Sequence, residues 1–250
     1  INKILGEERL IVTDIPGTTR DAVDTYAEID GIKYMFIDTA GIRKQSKIGS
    51  NIEKYSIIRS WTAIERADVC LVLIDAQTGV TEQDAKIAGY AHESGKGSII
   101  VVNKWDVIKK QTGTLEKYRK EVIEKLSFMN YAPVLFISAL TGQRVNTLFD
   151  TIKKVAEQRT LKIPTGILNE VINESAAIVE PPSDKGKNLK IYYTTQIDIK
   201  PPTFLLFVND KELMHFSYER YLENQLRKTF GFIGTPIVLK IKEKEREVRF

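Results

Sequence analysis

Residues 98–106 read Ser-Ile-Ile-Val-Val-Asn-Lys-Trp-Asp, an apolar run that stops at the mixed quartet Asn-Lys-Trp-Asp. A run with no polar alternation is the pattern of a strand covered on both faces, as in a parallel sheet. Working outward, the same pattern recurs at Ile32 to Asp38 (IKYMFID), Val69 to Asp75 (VCLVLID) and Pro133 to Ser138 (PVLFIS). The last three of the four runs in chain order are each preceded by a segment that reads as helical: Glu53 to Arg66, Glu82 to Glu93 and Leu115 to Phe128. Strands alternating with helices predict a doubly wound, mostly parallel α/β domain. Tyr26 to Asp30 can pair with Lys33 to Ile37 across the Asp30-Gly31 turn, adding an antiparallel edge strand. Val145, Leu148, Phe149, Ile152, Val155 and Ala156 then recur at helical spacing, and that helix is expected to close the first domain near Thr160.

From Pro164 the pattern changes. A helix from Thr165 to Ala177, the breaker Pro181-Pro182, a charged loop over Ser183 to Asn188 and a strand from Leu189 to Gln196 are expected. Pro201-Pro202 then leads to a strand over Phe204 to Asn209, a helix over Ser217 to Phe230 and a strand over Pro236 to Lys242. The result is a small αββαβ domain. Tyr218, Tyr221, Leu222, Leu226 and Phe230 form the apolar stripe of its last helix, with Ser217 as a plain cap. Gly231-Phe-Ile-Gly234 has the spacing of an RNA-clamping GxxG loop, but such a clamp joins two helices. Here it follows a helix and precedes a strand, so it reads as a helix C-cap and turn with Gly231 left-handed.

Composition narrows the function classes. The chain has 250 residues and a net charge of +4. There are 23 basic against 21 acidic residues up to position 160 and 14 against 12 beyond it, so neither part is a basic arm that would mark nucleic-acid binding by charge alone. The single cysteine, Cys70, lies in an apolar run and reads as a small core residue. One cysteine excludes an internal disulfide framework and a clustered-thiol zinc site, and fits a reducing compartment. No apolar run reaches the roughly 20 residues needed to span a bilayer, and no stretch reads as a signal peptide. A soluble, cytoplasmic protein is expected.

The chemistry concentrates at strand ends, where loops of a parallel sheet bind ligands. In Asn103-Lys104-Trp105-Asp106 the aspartate can accept hydrogen bonds from the ring N–H and the exocyclic amine of guanine, a pair of donors that adenine does not offer. The lysine stem can cover the base and the asparagine can brace neighbouring loops. The alternative is an N-cap aspartate that simply opens a helix. Asp38-Thr39-Ala40-Gly41 follows another strand; its aspartate can hold a phosphate-bound Mg²⁺, usually through water, and its glycine N–H can approach a terminal phosphate. Pro16-Gly17-Thr18-Thr19-Arg20-Asp21 can supply a threonine hydroxyl to Mg²⁺ and a segment that senses the third phosphate. Ser138-Ala139-Leu140 ends the fourth strand, where backbone N–H groups can reach the guanine carbonyl oxygen.

These four sites, in this order, resemble those of the translation-factor-like GTPases, and more closely the Der (EngA) family of bacterial ribosome-assembly GTPases. The residues that carry the resemblance are Ile4 to Asp24 (ILGEERLIVTDIPGTTRDAVD), Asp38 to Lys44 (DTAGIRK), Asn103 to Asp106 (NKWD), Ser138 to Leu140 (SAL) and Gly231 to Pro236 (GFIGTP). It covers essentially the whole chain. The resemblance implies that residues 1–160 are the second of two GTPase domains, of the P-loop type, and that residues 165–250 form a small α+β KH-like domain. It implies Thr19 and Asp38 as the metal-site residues, Thr19 and Gly41 as the catalytic pair, and Asp38, Asn103, Lys104, Asp106, Ser138, Ala139 and Leu140 as nucleotide-binding residues. Its cofactors are GTP or GDP, Mg²⁺ and K⁺. Its partners are the large ribosomal subunit, ribosomal RNA and the first GTPase domain of the same protein, with no membrane.

Two departures from the family pattern stand out. The sequence contains no GxxxxGK[ST] phosphate loop: Gly95-Lys96 is followed by Gly97 and Gly186-Lys187 by Asn188. The resemblance places that loop immediately before Ile1, so the 250-residue chain alone is expected to be inactive. Ile42 stands where many GTPases carry a water-orienting glutamine, which leaves the attacking water to backbone, metal or a partner; potassium dependence follows from the family alone. The expected function is a guanine-nucleotide switch that hydrolyses GTP to GDP in assembly of the large ribosomal subunit. The alternatives are an RNA- or protein-binding adaptor with an idle GTPase domain, and a tRNA-modification GTPase, which the KH-like part disfavours.

Overall fold

The computed structural model describes residues 24–37, 61–184 and 186–244, with the backbone of Ile11–Val12. The chain divides into two compact units, Ile1–Asn130 with Val134–Thr151 and Tyr131–Pro133 with Ile152–Phe250.

In the first unit, β1 (Ile11–Val12), β2 (Asp24–Ile29) and β3 (Ile32–Ile37) form an antiparallel sheet in the order β1-β2-β3. The β2–β3 hairpin turns at Asp30 and Gly31, with φ of 50° and 75°. A two-residue turn with both φ positive matches the twist of the flanking strands, which is why Asp-Gly favours it. Residues 61–66 are helical (α1). The parallel sheet follows as β4 (Val69–Asp75), β5 (Gly97–Asn103) and β6 (Val134–Phe136), in the order β4-β5-β6. Helix α2 (Glu82–Glu93) links β4 to β5, and α3 (Thr114–Lys125) links β5 to β6. The start of α2 is set by a capping box: the Asp84 N–H donates to the Thr81 hydroxyl oxygen, and the Asp84 carboxylate accepts from the Thr81 N–H. Its buried Ala88 and Ala91 are small enough to let it lie close to the sheet.

Residues Gly97 to Val102 of β5 are all buried, as expected of a central parallel strand. β4 differs: Val72 and Ile74 are buried, but Leu73 is 52% exposed and Cys70 is half-buried. The expectation of coverage on both faces therefore holds for β5 and fails for β4, which lies at the edge of the described three-stranded sheet. Helix α4 (Asn146–Arg159) begins in this unit, where Phe149 meets Tyr34 and Phe36 edge-on at ring distances of 5.8 and 6.4 Å.

The second unit contains α5 (Thr165–Ile178), a two-residue ladder of β7 (Ser183–Asp184) with β8 (Lys187–Asn188), β9 (Ile191–Ile199), β10 (Pro202–Val208), α6 (Phe216–Phe230) and β11 (Val238–Glu243). The sheet order is β11-β10-β9, with β9 antiparallel and β11 parallel to β10. Leu168 and Ile172 of α5, Phe204, Leu206 and Val208 of β10, and Tyr218, Leu222 and Leu226 of α6 form the core. Asn169 ties α5 to the sheet, its amide oxygen accepting from the Thr194 N–H and its NH₂ donating to the Thr194 carbonyl, both at 2.8 Å.

Three local expectations change. Ser183 to Asn188 is a tight antiparallel ladder rather than a loop, with Gly186 at a φ of 79°. His215, not Ser217, is the N-cap of α6, without a side-chain cap bond; Ser217 lies inside the first turn. Gly231 ends α6 at φ 95° and ψ −84°, a positive φ but outside the left-handed helical well. The turn after it is held from inside: Phe232 is fully buried, and the Arg227 guanidinium donates to the carbonyls of Phe232 and Thr235, each at 2.9 Å. The GFIG string is thus a closing turn between a helix and a strand.

Candidate guanine-nucleotide site

β4, β5 and β6 run parallel, so their carboxyl ends lie side by side, with Asp75 directly opposite Asn103 in the ladder. The loops leaving these ends are laced together. The Ala76 N–H donates to the Asn103 carbonyl at 2.9 Å, and the Trp105 N–H donates to the Ile137 carbonyl at 3.0 Å. From β6, the Ala139 N–H donates to Asn103 Oδ1 at 2.9 Å. Asn103 is therefore the brace between neighbouring loops that its chemistry suggested. The same bond occupies the Ala139 N–H, so that group can serve a base carbonyl only as a shared donor.

Lys104 adopts φ 62° and ψ 34°. That left-handed conformation costs a non-glycine residue about 1 kcal/mol or more and is typical of functional sites. The strain is held by what flanks it. Lys104 Nζ pairs with Asp75 Oδ2 at 2.6 Å, which lays the lysine stem along the β4 loop. Trp105 is 2% exposed, with its ring 4.5 Å from Phe136 and 5.4 Å from Tyr118. The Tyr118 hydroxyl donates to the Ala76 carbonyl at 2.8 Å. Burial, then the carboxylates of Asp75 and Glu121, raises the Tyr118 pKa and keeps that hydroxyl a donor.

A buried tryptophan between two polar neighbours fixes the turn that carries Asp106. Residues Trp105–Val107 form a single 3-10 turn, and the next helix starts only at Thr114, with Gly113 as its N-cap. The helix-opening alternative for Asp106 therefore fails. Asp106 Oδ1 is buried and has no hydrogen-bond partner. A carboxylate oxygen in that state costs upwards of about 1–3 kcal/mol unless a donor arrives. The ring N–H and exocyclic amine of guanine are a pair of donors of the kind that such a carboxylate lacks.

Ser138 is fully buried and shapes its loop: its hydroxyl oxygen accepts the Thr141 N–H at 3.1 Å and its carbonyl accepts the Gly142 N–H at 2.9 Å. Leu140 is 74% exposed. Thr19, Asp38 and Gly41 lie outside the described residues, as does Ile42. Among the described residues no group of three His, Cys, Asp or Glu side chains could hold a metal ion. Two contributors were not assigned from the sequence, Asp75 and Tyr118. An aspartate closing the strand that neighbours the Asn-Lys-Trp-Asp strand was the available signal for the first; nothing local marks the second.

Residues 162–242 match the family model described as the KH-domain-like C-terminal part of EngA bacterial GTPase enzymes. Residues 1–104 match that of the 50S ribosome-binding GTPases. GTPase Der of Acetivibrio thermocellus is 71% identical over 247 residues, and GTPase Der of Ruminiclostridium cellulolyticum is 69% identical over the same length. The chain belongs to the Der (EngA) GTPase family. It combines that family's GTPase domain, with its parallel sheet, and its KH-like carboxyl-terminal domain. Each of these two alignments covers 99% of this chain but 56% of the relative, so the chain spans little more than half the length of the Der proteins it matches. No helix among the described residues is long and apolar enough to cross a membrane.

Proposed function

We propose that this chain is the guanine-binding and RNA-facing part of a GTP-hydrolysing switch that acts in assembly of the large ribosomal subunit, in the cytoplasm. The observation that carries the nucleotide reading is the buried, unpartnered Asp106 carboxylate oxygen, on a turn anchored by Trp105 and braced through Asn103 to Ala139. In this reading Asp106 takes the two guanine donors, the Lys104 stem covers one face of the base, and the loop of Ser138, Ala139 and Leu140 faces the base carbonyl. Thr19 and Asp38 hold Mg²⁺, which supplies charge neutralisation at the phosphates, and Gly41 reports the third phosphate. Potassium remains part of the proposal through the family alone. The ribosomal part rests on the description of the matching GTPase model as 50S ribosome-binding. The domain division is placed near residue 160, with the KH-like part from 165.

The test is nucleotide turnover by a chain lengthened upstream of Ile1 to the span of its relatives. GTP should be hydrolysed and ATP ignored, while the 250-residue chain, whose sequence has no phosphate-loop motif, should be inactive. Equal use of ATP would remove Asp106 from the base site. Robust turnover by the 250-residue chain would require a phosphate site elsewhere.

A further inference from the structure

A cleft of about 450 Å³ opens at one end of the β11-β10-β9 sheet, by the end of β11 opposite to the one that the GFIG turn leads into. Three lysines line it from three separate segments: Lys187 from β8, Lys190 before β9 and Lys244 after β11. Each segment is anchored. Lys187 sits in the β7–β8 ladder opposite Asp184. The Asn209 side chain accepts the Lys190 N–H at 2.7 Å and donates to the Asn188 carbonyl at 2.9 Å, and the Lys244 N–H donates to the Val208 carbonyl at 2.9 Å. Among the described residues none of the three ammonium groups has an ion pair. Of the nearby carboxylates, Asp210, which lines the cleft, accepts from the Glu212 N–H and Glu243 from the Lys211 N–H, each at 3.0 Å, and Asp184 faces Lys187 across the ladder.

Three lysines against one lining carboxylate leave the cleft with an excess of positive charge, which an incoming anion neutralises. The cleft also offers an aromatic face. Tyr192 is 53% exposed, and Lys244 Nζ lies 5.5 Å from its ring centroid. A lysine cluster alone would serve an acidic peptide equally well. An exposed ring beside the cations suits a stacked base next to its phosphates, the combination by which single-stranded nucleic acid is held.

We infer that this cleft is a single-stranded RNA contact, with phosphates on Lys187, Lys190 and Lys244 and a base stacked on Tyr192. The inference rests on the RNA-facing reading above and gives it a location away from the GFIG turn. Three phosphate contacts on a single strand predict a salt slope of about −2, a loss of roughly 15-fold in affinity between about 50 and about 200 mM salt.

The test is fluorescence anisotropy of a labelled oligouridylate with the full 250-residue chain across that salt range. K187Q/K190Q/K244Q should flatten the slope, each single substitution lowering it by about 0.7. Tyr192→Leu should cost about tenfold for oligouridylate and nothing for an abasic oligomer of equal charge. Unchanged affinity and slope in a folded triple variant, or in the three single variants, would overturn the cleft and leave the RNA reading standing. No binding by the unaltered chain at low salt would overturn both. Displacement of the RNA by polyglutamate at equal charge would overturn the cleft in favour of an acidic protein partner.

Discussion

Asn103 joins the loops after β5 and β6 through one hydrogen bond, and its removal has a calculable cost. Asn103→Ala deletes the acceptor 2.9 Å from the Ala139 nitrogen. A donor left fully buried and unpaired costs about 1–3 kcal/mol, whereas a neutral bond replaced by water costs about 0.5–1.5. Ala139 is only partly buried, so water can reach its N–H in the variant and the value should lie near 1–1.5 kcal/mol. For a unit of this size that lowers the melting temperature by about 2–6 °C. The rest of the β6 loop stays tied through Ser138, so the change should remain local. Amide exchange read by NMR should show Ala139 losing protection while Thr141 and Gly142 keep theirs. If the brace preorganises the base site, guanosine diphosphate affinity of the lengthened protein falls by up to about tenfold, the same energy expressed in binding. Retained protection at Ala139, or a melting temperature equal to wild type, would refute the bracing role.

Two further substitutions probe the second unit. Burial, with a smaller contribution from Tyr221, pushes the Tyr218 hydroxyl from its ordinary value of 10.0 up to about 12, and that hydroxyl donates to the Val179 carbonyl at 3.1 Å. Because the folded-state value is raised, the stabilisation is complete below about pH 10 and is lost as pH rises toward about 12. Denaturant melts of wild type and Tyr218→Phe should therefore differ by a constant amount up to pH 10 and converge above it; parallel curves through that window would show that the hydroxyl carries no such linkage. Gly231→Ala places a Cβ at a φ of 95° and 2.7 Å from Gln158 Oε1. Gln158 can swing aside but the backbone strain stays, so urea unfolding should show a loss of about 1–3 kcal/mol, and a loss below about 0.5 would contradict the strained turn.

Much of this fold is legible in the sequence because its strands are continuous apolar runs and its helices carry clear breakers. The Asp30-Gly31 turn, the helix over Glu82 to Glu93 and the stripe of Tyr218, Leu222 and Leu226 follow from local chemistry that the tertiary structure leaves unchanged. What escaped depends on distant partners. Leu73 looks like any other aliphatic residue of its run, and its exposure depends on what lies beside β4. The β7–β8 ladder is too short for a periodic pattern, and Ser217 resembles a cap although the chain enters the helix at Phe216. At the candidate site, Asn103, Lys104 and Asp106 stand out by residue type. The Lys104–Asp75 pair and the packing of Tyr118 on Trp105 join residues 29 and 13 positions apart, and no local pattern encodes such contacts.

Nucleotide choice by Asp106→Asn is the most direct measurement on the proposed guanine site. The amide puts a donor where the carboxylate offered an acceptor, so guanine loses its partner and xanthine, with a carbonyl in place of the exocyclic amine, gains one. Two hydrogen bonds to a charged group are worth about 3 kcal/mol or more together, so the preference for guanosine over xanthosine diphosphate should shift by at least about a hundredfold. Competition titrations on the lengthened protein read that ratio. A swing toward xanthosine diphosphate places the base against Asp106; an unchanged guanosine diphosphate affinity in the variant would mean that the base lies elsewhere and that the buried carboxylate oxygen has another purpose.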